Sequence, residues 1–147
     1  MNDVSLNRRE PLAAYWSLRI ALGVVPIVAG LDKFTNLLVS WEGYLGPVAR
    51  SLLPISAGAF MHVAGIVEVI VGLAILLGRA RIFGFVACAW LAAIALELLS
   101  TGHFLDVAAR DAVMAVAAFA LGRLAQAVEE RATEPGVAHD RPAHAHA

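Results

Sequence analysis

The stretch Val24–Leu38, VVPIVAGLDKFTNLL, begins as an apolar helix and then sets Asp32 and Lys33 side by side within the hydrophobic run. A charge at the centre of a membrane-inserted helix costs on the order of 3 kcal/mol, so these two groups need either partners or the membrane boundary. Adjacent helical residues project about 100° apart, and the two charges cannot neutralise each other across one helix. Arg19, Gly23, Pro26, Gly30 and Lys33 follow spacings of four, three, four and three, which places them on one stripe. The glycines let a neighbouring backbone approach, so this face packs inward and carries Lys33 with it. Asp32 is expected to turn instead towards the following loop or the water boundary.

Outward from this stretch, 147 residues with 60% hydrophobic side chains and a mean hydropathy of +0.74 carry more apolar surface than one small water-soluble core needs. Hydrophobic runs predict helices over about 13–35, 60–77, 82–99 and 106–124. An 18-residue run spans roughly 27 Å, close to the roughly 30 Å of hydrocarbon in a bilayer. The expected fold is all-α: a four-helix transmembrane bundle over residues 1–124, followed by a flexible cytoplasmic tail over 125–147. A cleaved signal peptide, with Arg8 and Arg9 as its basic region and Ala29 near the cleavage site, is the rival reading of the first run; Arg19 inside that run argues for a retained helix.

The formal net charge of -1 and the lack of a basic stripe interleaved with aromatics leave nucleic-acid binding without a footprint. The single cysteine, Cys88, excludes an internal disulfide or a CxxC pair and reads as a buried inert thiol. His139, His144 and His146 in the tail lack a partner cluster, and no metal site is assigned.

Arginine placement sets the expected orientation. Arg8 and Arg9 precede the first helix, Arg79 and Arg81 fill the GRAR turn between the second and third, and Arg123 and Arg131 follow the fourth. All fall on one side, which makes both termini cytoplasmic. The loop over about 36–59 is too apolar for a solvated linker. It reads as an interfacial cap, with Trp41 and Tyr44 at headgroup depth and Pro47 and Pro54 limiting its helices to short pieces. A re-entrant segment is the alternative.

The remaining charges inside the spans cluster towards the outer leaflet. His62 lies near the outer end of the second helix, Glu68 is deeper on a face with Gly65 and Gly72, and Glu97 shares a face with Ala89 and Ala93. Arg110 and Asp111 open the fourth helix. Lys33 and Arg110 stand against Asp32, Glu68, Glu97, Asp106 and Asp111, an acid excess. The expected pairs are Lys33 with Asp111 or another acid, and Glu97 with Arg110. Glu68 is then the carboxyl left over, suited to give a proton or hydrogen bond to a ligand. These groups may be read either as helix-register ion pairs or as a ligand site, and the candidate network is Arg19, Lys33, His62, Glu68, Glu97, Arg110 and Asp111. Trp16, Trp41 and Trp90 are either core and interface anchors or a stacking surface for a flat ring such as a quinone.

The segments LRIALGVVPIVAGLDKFTN, HVAGIVEVIVGLAILLGRARIFGFVACAW and RDAVMAVAAFALGRL together resemble the DoxX family of small bacterial and archaeal membrane proteins. The resemblance implies a four-helix bundle in the cytoplasmic (inner) membrane, crossing it several times with both termini inside. It implies Lys33, Glu68, Arg110 and Asp111 as functional positions. Relatives are associated with membrane redox assemblies, including the quinone-reducing thiosulfate oxidoreductase of some archaea. That implies an accessory or quinone-facing subunit with a redox protein partner, while the lone Cys88 departs from the cysteine-bearing relatives that handle thiols. No intrinsic cofactor is expected, since haem, flavin and iron-sulfur motifs are missing; a quinone is the cofactor class the resemblance brings in. A proton, cation or small-solute carrier acting as a homo-oligomer, and a purely structural assembly subunit, are the competing readings.

Overall fold

The computed structural model describes residues 9–52 and 54–133. Four long helices dominate, and no strand occurs among the described residues: α1 (Arg9–Asp32), α3 (Ala57–Ala74), α4 (Ala80–Thr101) and α5 (Leu105–Thr133), with the short α2 (Pro47–Leu52) in the first loop. Two stretches are long and apolar enough to cross a membrane, Pro11–Asp32 and the 45 residues Ala57–Thr101. As one rod the second would run about 67 Å, more than twice the hydrocarbon thickness. Gly78 divides it. Its φ of 106° lies in the left-handed region, within a five-residue π-helical turn, Ile75–Arg79, that joins α3 to α4.

Local chemistry explains the other ends. Asn36, at φ 51°, closes α1 by donating to the Asp32 carbonyl at 2.7 Å, a conformation asparagine tolerates. Ser56 caps α3 by accepting from the Ala59 N–H at 3.2 Å. Gly102, left-handed at φ 69°, ends α4. The loop holds only a four-residue 3-10 turn, Trp41–Tyr44, and the six-residue α2 that begins on Pro47, in keeping with its prolines. α5 runs to Thr133, past the helix end near residue 124 expected from hydropathy. Arginines and glutamates interrupt apolarity there without interrupting helix, because both are good helix formers. The rest of the expected tail, 134–147, with its three histidines, lies outside the described residues, as does Arg8.

Glycines set the packing. α1 lies chiefly on α3 and α4 on α5, with α1 against α5 joining the two pairs. A Cβ at Gly30 would stand 2.5 Å from the Gly65 carbonyl oxygen, and one at Gly72 would collide with the Gly23 carbonyl oxygen. Advancing from Gly23 to Gly30 on α1 thus moves back from Gly72 to Gly65 on α3, an antiparallel register. On the other pair a Cβ at Gly84 would lie 2.8 Å from the Gly122 nitrogen. The apolar core of Leu22, Val71, Ile75, Ala87, Ala118 and Leu121 occupies the end near Gly78. The buried charged residues, Asp32, Lys33, Glu68 and Asp111, occupy the opposite half. Outward faces are apolar, with Leu77, Leu96, Val113 and Val116 all exposed, as expected where lipid replaces water.

Candidate functional site

Helical side chains lean towards the N-terminus of their own helix. In the antiparallel α1–α3 pair that rule sends Lys33 and Glu68 towards the same level, the Gly30–Gly65 crossing. The Lys33 Cβ lies beside Gly65 and the Glu68 Cβ beside Gly30, so the glycines supply the room in which the two side chains meet. Lys33 Nζ donates to Glu68 Oε2 at 2.6 Å, with the two side chains only 6% and 9% exposed. Charged partners at this distance and burial are worth far more to each other than on a surface, since water screens them little.

Two tryptophans complete the centre. Trp41, from the loop, lies against the lysine, its ring centroid 3.7 Å from Nζ, a cation–π contact. Trp90 of α4 points its Nε1–H at Glu68 Oε1 over 3.4 Å. Trp41 is held in place by Asp32: its Nε1–H donates to Oδ2 at 2.7 Å, while Oδ1 accepts from the Leu37 N–H at 2.9 Å, the Leu38 N–H at 3.1 Å and the Thr35 hydroxyl at 3.2 Å. Asp32 therefore ties the loop back onto the end of α1, and the loop in turn covers Lys33.

The remaining candidates separate. Asp111 is buried, but it accepts from its neighbour Arg110, whose Nε lies 3.2 Å from Oδ1. Lys33, expected to pair with Asp111 or another acid, takes Glu68, because the glycine register and the side-chain lean favour α3. The second expected pair is corrected. Glu97 does not pair with Arg110; its Oε1 accepts the Ala49 N–H at 3.2 Å, satisfying an orphan donor in the first turn of α2. Glu68 is correspondingly not the unpartnered carboxyl that the charge count suggested. His62 is exposed and stacks on Phe34, centroids 4.9 Å apart. Arg19 sits at the far end, donating from Nε to the Ile75 carbonyl at 2.9 Å and from Nη2 to the Leu76 carbonyl at 2.7 Å. It serves the helix break, not the charged centre.

Asp32, Trp41 and Trp90 belong to the site although the candidate network left them out. One signal was available: Glu68 and Trp90 stand eleven residues either side of Arg79, so a hairpin turning at GRAR brings them level.

The DoxX family model matches residues 14–96. The chain belongs to the DoxX family. The match takes in Arg19, Lys33, His62, Glu68, Trp41 and Trp90 and leaves α5, with Arg110 and Asp111, outside it. No curated protein and no solved structure matches the chain. This DoxX chain is accordingly a membrane protein by family and by its apolar spans.

Whether the centre suits a quinone can be judged from its donors. Quinone carbonyls need hydrogen-bond donors, yet the Lys33 ammonium and the Nε1–H of Trp41 and Trp90 all point at carboxylates. No buried side-chain nitrogen or oxygen among the described residues lacks a partner. Each of these donor nitrogens is already engaged by a carboxylate, and no redox step is routed through the centre.

Proposed function

We propose that this DoxX protein is a non-catalytic accessory subunit of a membrane oxidoreductase assembly, crossing the inner membrane four times with both termini in the cytoplasm. The observation that carries this reading is the Lys33–Glu68 pair, closed at 2.6 Å and roofed by Trp41. A fully partnered network of this kind suits a group that fixes helix register and holds a surface loop in one shape. The loop so held, Trp41–Leu52, is the surface offered to a redox partner. The redox context is supported by the family's association with such assemblies. The inward termini are supported by the arginines at Arg79, Arg81, Arg123 and Arg131. A quinone-facing version requires the Lys33–Glu68 pair to open.

Purification from native membranes in mild detergent, followed by identification of co-purifying proteins, tests the proposal. A stable redox partner that dissociates in Asp32→Asn, with helical content kept, is the expected result. The carrier reading is favoured by one observation, the buried Asp111, a second acid in the half of the molecule that holds Lys33. A homo-oligomer without a redox protein, showing proton or cation flux in vesicles, would put the carrier in front.

A further inference from the structure

At the end of the molecule opposite the charged centre, the break at Gly78 gathers arginines. Arg19 crosses from α1 to tie the Ile75 and Leu76 carbonyls, with the Tyr15 hydroxyl at 3.1 Å as its other polar partner; no carboxylate neutralises it among the described residues. Gly78 has no side chain, and a Cβ there would be 3.6 Å from Arg19 Nη2, so that guanidinium lies just beneath the turn. The Arg79 side chain is exposed and makes no hydrogen bond or ion pair with any described residue. Arg81 has Glu129 at 3.3 Å, both side chains being 48% exposed. Two guanidinium groups thus face one carboxylate in a groove of about 510 Å³ lined by Gly78, Arg79, Arg81, Ile82, Phe83 and Glu129, with the Arg19 guanidinium beneath Gly78.

The geometry points to a binding site for the phosphodiester headgroup of an anionic phospholipid, with Arg79 and Arg81 as its donors and Arg19 adding charge from below. Guanidinium forks match the non-bridging oxygens of a phosphate in charge and shape. A free phosphate would use the arginines alone. A lipid also uses Leu77 and Ile82, exposed by 80% and 64% beside the groove, as a track for its acyl chains. The groove lies where α3 and α4 end, the depth at which headgroups meet a spanning hairpin. The inference rests on the membrane reading of the chain and is independent of any redox partner.

The test is native mass spectrometry of the full chain after equilibration in nanodiscs of phosphatidylcholine containing a minor fraction of phosphatidylglycerol. Wild-type protein is expected to retain phosphatidylglycerol in preference to phosphatidylcholine. Arg79→Gln should weaken that preference about fivefold, the scale of one basic residue at an anionic surface. Arg79→Gln removes no hydrogen bond to a described residue, and circular dichroism should report an unchanged fold. Arg81→Gln should act in the same direction, whereas Arg50→Gln, in α2 at the other end, should leave the lipid preference unchanged. Equal retention of the two lipids, or an unaltered preference in both Arg79→Gln and Arg81→Gln, would overturn the site. Displacement of the lipid by millimolar inorganic phosphate would overturn its assignment to a lipid.

Discussion

Asp32 ends α1, Lys33 opens the turn that follows, and the two serve different neighbours. Lys33 reaches across to Glu68 of α3, and Asp32 gathers the loop through two backbone N–H groups, a hydroxyl and an indole. That division follows from the 100° step between adjacent residues and is legible in the sequence. The strength of the Asp32 hub is not, because none of its partners beyond Thr35 is set by helical periodicity. Charge counting would make Asp32→Asn mild. With four donors aimed at the carboxylate, the expected cost is instead about 1–3 kcal/mol, since an amide must turn its own N–H groups towards at least one of them. Acrylamide quenching of a protein in which Trp41 is the single tryptophan should rise in Asp32→Asn; unchanged quenching would mean that the hub does not hold the loop. Glu68→Gln is likewise not benign, because it leaves Lys33 facing an amide. A loss of about 1–3 kcal/mol in unfolding free energy is expected, where an uncharged Glu68 would predict almost none.

Between elements, glycine decides how near the helices come. Gly30 against Gly65 and Gly23 against Gly72 bring α1 and α3 to backbone contact. Gly30→Ala should therefore cost about 1–3 kcal/mol, the range for forcing a methyl into a filled interface. Gly43→Ala, with nothing within 4 Å of its Cβ position, should be neutral, and detergent unfolding curves compare the two directly. The inward stripe of α1 was readable from its spacing, but the choice of partner helix was not: a stripe specifies a face and says nothing of what lies across it. Depth alone leaves Asp111 and Glu68 both open as partners of Lys33. The missing quantity was the register, which depends on two glycine crossings on different helices together with the lean of each side chain. Helix α5 shows a related limit, since hydropathy marks where apolarity stops and Thr133 marks where helix stops.

At the scale of the whole molecule, the apolar core lies at the Gly78 end and the buried charges at the other. Each end has its own polar device, Arg19 tying the helix break and Lys33–Glu68 clasping α1 to α3. All-α architecture and membrane character were plain from composition, because apolar runs of this length have few other uses. A reporter that is active only in the periplasm, fused after Ala147, is expected to stay inactive; its activity would reverse the orientation. The central claim is that Lys33 and Glu68 act as one unit inside the protein, and a double-mutant cycle measures it. In lipid bicelles, Lys33→Met and Glu68→Leu should each destabilise the fold by about 3 kcal/mol, since each leaves a buried charge without its partner. The double variant should lose less than the two singles together, with a coupling of about 1–3 kcal/mol. Losses that simply add, to within about 0.5 kcal/mol, would show that the two residues do not depend on each other and would contradict the account.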